Sequence, residues 1–141
     1  MGNSQSMQKI NFEDVQYAIK NPKIYLIINT LSEGEQDCLI LNTIHASKEE
    51  QIINHYIQSN KNINILIYGL NSNDEKIYTR CNQLMRLGFI NVYLYVGGLF
   101  EWLMMQDIFG FEEFPSTVKQ LDFLKYKPSQ RLNIRLLENN Y

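Results

Sequence analysis

Residues 63–85 read Ile63-Asn64-Ile65-Leu66-Ile67-Tyr68-Gly69-Leu70-Asn71-Ser72-Asn73-Asp74-Glu75-Lys76-Ile77-Tyr78-Thr79-Arg80-Cys81-Asn82-Gln83-Leu84-Met85. The first six residues predict a β-strand. The residues from Ile77 onward place Ile77, Tyr78, Cys81, Leu84 and Met85 on one helical stripe. Gly88 supplies the left-handed residue that ends such a helix. Between strand and helix lies the polar loop 69–76, in which Ser72 and Glu75 have the spacing of a capping box. A strand, a polar loop and an amphipathic helix in this order form one half of a βαβ unit, whose loop sits at the strand's carboxyl end.

The same alternation extends both ways. Upstream, Asn11 can cap a helix whose apolar face is Phe12, Val15, Ala18 and Ile19, and Asn21-Pro22 stops it. Ile24-Tyr25-Leu26-Ile27-Ile28 is continuously apolar and is read as a central strand, buried on both sheet faces. A short apolar run, Cys38 to Leu41, precedes a second possible capping box, Ser47 with Glu50. This box would open a helix with Ile52, Ile53, Tyr56 and Ile57 inward. Downstream, Val92-Tyr93-Leu94-Tyr95-Val96 reads as a strand, and Gly97-Gly98 leads into a helix burying Leu99, Trp102 and Leu103, with Gly110 as its terminator. Alternating strands and helices predict an α/β, three-layer domain: a central, mostly parallel sheet flanked by helices, with the ligand crevice at the strand carboxyl ends.

A chain of 141 residues suits one core. The expected organisation is a flexible N-terminal segment over residues 1–9, a domain over 10–113 and an extension over 114–141 packed upon it. A formal charge of −2 provides no broad cationic field, so no nucleic-acid partner is expected. Two cysteines, Cys38 and Cys81, are too few for a disulfide framework and lack metal-ligand spacing, which suits a reducing, cytoplasmic setting. No apolar run is long enough to span a bilayer. Cys81 falls on a buried stripe and is read as an inert thiol, whereas Cys38 is expected to pack near an exposed sheet edge. His45 and His55 have no companion ligand, and Ser72 has no identifiable base; no metal and no cofactor are expected. Phe100-Glu101-Trp102 reads mainly as core, with a partner-facing role as its alternative.

The succession from Leu26-Ile27-Ile28-Asn29-Thr30 through Ile65-Leu66-Ile67-Tyr68-Gly69 continues to the turn Leu87-Gly88-Phe89-Ile90-Asn91-Val92-Tyr93. The pair Gly97-Gly98 and then Trp102 follow. From Ile10 to Trp102 this order resembles the rhodanese-like domain. Active members of that family carry an aspartate and an arginine after the first buried strand, and a persulfide-bearing cysteine in a loop of backbone N–H groups after the next one. The corresponding residues here are Asn29, Leu31 and Gly69. Sulfur transfer needs a thiolate, which glycine cannot replace. Residues Gly69, Leu70, Asn71, Ser72, Asn73, Asp74, Glu75 and Lys76 therefore correspond to a degenerate active-site loop. It is about two residues longer than in the sulfurtransferases; the longer loops that accompany phosphatase activity also use the cysteine. Asp74 and Glu75 would repel an anionic substrate from the helix N-terminus. The resemblance implies a non-catalytic binding or scaffolding module with a protein partner. Its rivals are a sulfurtransferase or phosphatase of atypical chemistry and a structural subunit of a larger assembly.

One motif lies outside the domain. Met1-Gly2-Asn3-Ser4-Gln5-Ser6 fits the acceptor pattern for N-myristoylation, with Gly2 as the acylated residue. Lys9 follows without a polybasic cluster, so the expected membrane contact is peripheral and reversible.

Overall fold

The computed structural model describes residues 7–132. Its elements run β1 (Gln8–Ile10), α1 (Phe12–Ile19), β2 (Tyr25–Asn29), α2 (Ala46–Ser59), β3 (Asn64–Tyr68), α3 (Lys76–Arg86), β4 (Val92–Tyr95) and α4 (Gly98–Phe109). The four strands form one sheet in the order β1-β4-β3-β2, and every neighbouring pair is parallel. Side chains alternate between the two faces of a strand. Ile27, Leu66, Tyr68 and Tyr95 therefore face one layer, made by α1 and α4, and bury Val15, Ala18, Leu99, Trp102 and Leu103 with them. Leu26, Ile28, Ile65, Ile67 and Leu94 face the other, made by α2 and α3, with Ile53, Ile77, Cys81 and Leu84. This is the three-layer α/β arrangement expected from the alternation.

Several expectations are corrected. The apolar run at β2 forms an edge strand, because continuous apolarity reports helices on both faces of a strand and is silent about its lateral neighbours. Its free edge is partly closed by Ile44, whose N–H donates to the Ile27 carbonyl at 2.7 Å. The ordered sheet begins inside the segment expected to be flexible: Gln8–Ile10 pairs with β4, matching Lys9 to Leu94. Two of these three residues are polar, so no apolar pattern marks the strand. The Ser47–Glu50 capping box does not form. The helix starts two residues earlier, and His45 caps it, its Nδ1 accepting from the Ser47 N–H at 3.1 Å. α1 begins as expected: Asn11 Oδ1 accepts from Glu13 and Asp14 N–H, and the Asp14 carboxylate accepts from the Asn11 N–H.

The extension is stitched to the domain. Cys38, Leu39 and Ile40 are buried, and the adjoining chain pairs antiparallel with residues 115–117. Leu41 N–H donates to the Pro115 carbonyl and Thr117 N–H to the Leu39 carbonyl. Phe114 and Tyr126 then join the core on the α1/α4 side.

Candidate functional site

β3 lies between β2 and β4, so the loop leaving its carboxyl end opens where the layers meet. The first turn of α4 fixes that loop. Leu99 N–H donates to the Gly69 carbonyl and Phe100 N–H to the Leu70 carbonyl, both at 2.9 Å. The approach demands a glycine at residue 98, whose φ is +73°; a Cβ there would stand 2.7 Å from the Gly69 oxygen and 2.9 Å from the Asn71 nitrogen. Asn71 holds the far side. Its carbonyl accepts from Asp74 N–H, its Oδ1 accepts from Asn73 N–H, and its buried amide donates to the Tyr126 carbonyl at 2.9 Å.

The interior of the loop is filled by its own aspartate. Asp74 Oδ2 accepts from Leu70 N–H at 3.0 Å and from the Thr30 hydroxyl at 3.1 Å, while Oδ1 accepts from Lys76 N–H at 3.0 Å. A Cβ built on Gly69 would lie 2.6 Å from Asp74 Cγ and closer still to Oδ2. A side chain at residue 69 would require this carboxylate to move. Asp74 also takes over the capping expected of Ser72 and Glu75: α3 starts at Lys76, beyond the reach of that box, and Ser72 is exposed. The expected charge repulsion at the helix start is thus a more specific effect, since the Leu70 and Lys76 N–H groups already have an anionic partner.

Behind the loop, Asn29 and Gln36 form a buried reciprocal amide pair. Gln36 Nε2 donates to Asn29 Oδ1 at 2.8 Å, and Asn29 Nδ2 donates back to Gln36 Oε1 at 3.2 Å. Asn29 Oδ1 also accepts from Leu31 N–H, and the Leu31 side chain is core. This is a neutral, satisfied cluster at the end of β2. Thr30, Gln36 and Gly98 were not among the site residues expected from the sequence. An aspartate just before a helix is a recognisable Asx-turn signal, but it does not reveal that the carboxylate turns inward.

The remaining candidates lie elsewhere. Cys81 is fully buried on α3 with its thiol 3.6 Å from Met85 Sδ, and burial pushes its pKa up. Cys38 is 1 % exposed, packed as expected and not open at the sheet edge. Its pKa is raised by burial, against smaller lowering effects from Ser116, Lys125 and Val118. Trp102 is wholly buried, with its indole N–H on the Pro115 carbonyl, which excludes it from a partner-facing role. His45 is the cap already described, and His55 is exposed against Tyr56. Among the described residues no group of three or more His, Cys, Asp or Glu side chains could hold a metal ion, and no helix is long and apolar enough to cross a membrane. Gly2 lies outside the described residues.

No protein-family model matches the sequence, and no curated protein does. Solved structures do match the fold. The rhodanese-like domain of the Alr3790 protein from Anabaena is 18 % identical, with a TM-score of 0.56 and 92 % of each chain covered. Ygr203w, a yeast protein tyrosine phosphatase of the rhodanese family, is 14 % identical at a TM-score of 0.61, covering 86 % of this chain and 99 % of that one. The BH2092 protein from Bacillus halodurans is also 14 % identical, at a TM-score of 0.59, with 94 % and 89 % covered. The chain has the rhodanese-like α/β fold.

Proposed function

We propose that this chain is a non-catalytic rhodanese-like module that binds or scaffolds a protein partner. The observation that carries the reading is the Asp74 carboxylate seated in the loop at Gly69. A transferring enzyme of this fold needs a nucleophile at the loop entrance and free N–H donors for the anion it handles. Here the entrance residue has no side chain, and an incoming anion would have to displace a carboxylate tethered within the same loop, which competes at high effective concentration. Thiosulfate:cyanide transfer and aryl-phosphate hydrolysis are the tests. The expected result is no turnover above buffer by the purified chain. Turnover abolished by Ser72→Ala or Cys81→Ala would instead establish an enzyme of atypical chemistry.

The module is further proposed to be tethered reversibly to membrane through a myristoyl group on Gly2, supported by the residue pattern at 1–6. A single acyl chain gives marginal affinity. Co-expression with a myristoyltransferase should add one acyl mass to the wild type and none to Gly2→Ala; an unmodified wild type removes the tether.

A further inference from the structure

Between the amino end of α1 and the carboxyl end of α4, Phe12, Met105, Phe109 and Phe114 line an open cleft of about 320 Å3, with Glu113 at its rim. Phe114 forms the floor: its ring centroid lies 5.0 Å from that of Trp102, 5.5 Å from Phe12 and 6.1 Å from Phe109. The walls are tied together by Gln16, whose side-chain amide donates to the Glu113 carbonyl at 2.8 Å. Yet Phe109 and its neighbour Ile108 are 60 % and 62 % exposed. Large apolar side chains grouped in this way on a rigid cleft mark a surface that is covered in use.

Charge identifies the cover. α1 and residues 98–115 carry Glu13, Asp14, Glu101, Asp107, Glu112 and Glu113 and no Lys or Arg, although the chain has 13 basic residues in all. Asp14 is engaged in capping α1, and Glu101 accepts from the Tyr95 hydroxyl. The other four are exposed, and none is ion-paired among the described residues; Asp107 lines a separate cleft with Lys119, which leaves Glu13, Glu112 and Glu113 for this one. Lys9 and Lys20 bracket α1 from outside these segments. An apolar cleft with an acidic rim selects an apolar anchor flanked by cations and repels acidic partners and anionic bilayers.

We infer that this cleft docks a basic amphipathic segment of a partner protein. Its aromatic or aliphatic anchor enters over Phe114 beside Phe109, and its Lys or Arg side chains face Glu113, which lines the cleft, and its neighbour Glu112. This assignment stands whether or not the loop at Gly69 is catalytic, so it fails independently of the function proposed above.

The test is a fluorescence-anisotropy titration of the full chain with a labelled helical peptide four turns long, having Leu and Phe on one face and Lys on the other. A matched peptide with Glu in place of Lys is the control. The basic peptide should saturate and should weaken in high salt. Its affinity should fall about tenfold in Phe109→Ala and again in the Glu112→Lys/Glu113→Lys double variant. These side chains are exposed, so both variants should melt as the wild type does. The inference is overturned if the basic peptide does not saturate, if the acidic peptide binds equally, or if neither variant changes the affinity. Sedimentation that places a second copy of the chain on the cleft, with self-association lost in Phe109→Ala, also overturns it.

Discussion

Three hydrogen bonds end on the Asp74 carboxylate, two of them from backbone N–H groups with no other acceptor in the loop. Asp74→Ala should therefore destabilise the fold by about 1–3 kcal/mol, towards the low end because the site is half-buried. Gly69→Ala should also destabilise, since its Cβ overlaps the same carboxylate. In the Asp74→Ala background that penalty should shrink, since the carboxylate overlap goes and only the 2.9 Å approach to the Cβ of residue 74 remains, so the double variant is more stable than the sum of the two singles predicts. Strict additivity in urea denaturation would show that the overlap is relieved elsewhere. The two thiols offer a second check at this scale. Cys38 and Cys81 are buried and their pKa values raised, so a disulfide reagent at neutral pH should find both only after urea is added. Fast labelling of the native protein at either residue would contradict the buried assignment. An acidic loop was legible from the sequence of residues 69–76. The inward turn of Asp74 was not, because the loop backbone is held by Leu99 and Phe100, which are remote in sequence.

α4 acts on the site through its first turn. Gly98→Ala would place a methyl group against the Gly69 carbonyl and the Asn71 backbone and would hold a non-glycine residue at φ +73°. The loss should be about 2–4 kcal/mol. Gly34→Ala, which meets nothing within 4 Å, should change stability by less than about 0.5 kcal/mol. Thermal melts of the two variants separate a required glycine from an incidental one; equal melting temperatures would refute the close docking. At this scale most of the fold was legible. A 3.6-residue pattern marked α1 and α3, and apolar, β-branched or aromatic runs marked β3 and β4, because each buries surface set by its own residues. β1 was not visible, since three residues on a sheet edge bury little. The edge position of β2 and the capping by His45 were not visible either, because lateral neighbours and the helix start depend on packing rather than on local pattern.

In the whole molecule, one sheet separates two apolar layers, and the extension closes the α1/α4 side through Phe114 and Tyr126. Buried phenols make this closure sensitive to alkaline pH. Tyr68, packed in that layer, has its pKa raised by burial, partly offset by its hydrogen bonds with Thr43 and the Ile40 N–H. Tyr95 is raised by burial and then by the Glu101 carboxylate that its hydroxyl contacts. For such groups the unfolded chain loses its proton first, near the ordinary phenol value of 10. Their contribution is complete below that value and declines as pH rises past it, by up to about 1.4 kcal/mol per group for each further pH unit. Tyr68→Phe isolates one such contribution. At neutral pH it should cost about 1–3 kcal/mol, because the Ile40 N–H and Thr43 hydroxyl lose their buried partner. Above about pH 10 the gap to wild type should narrow, since only the wild type then surrenders the Tyr68 contribution. Urea midpoints of both proteins measured from neutral to alkaline pH decide the matter, and a gap that stays constant or widens would place the Tyr68 phenol in water rather than under the closed layer.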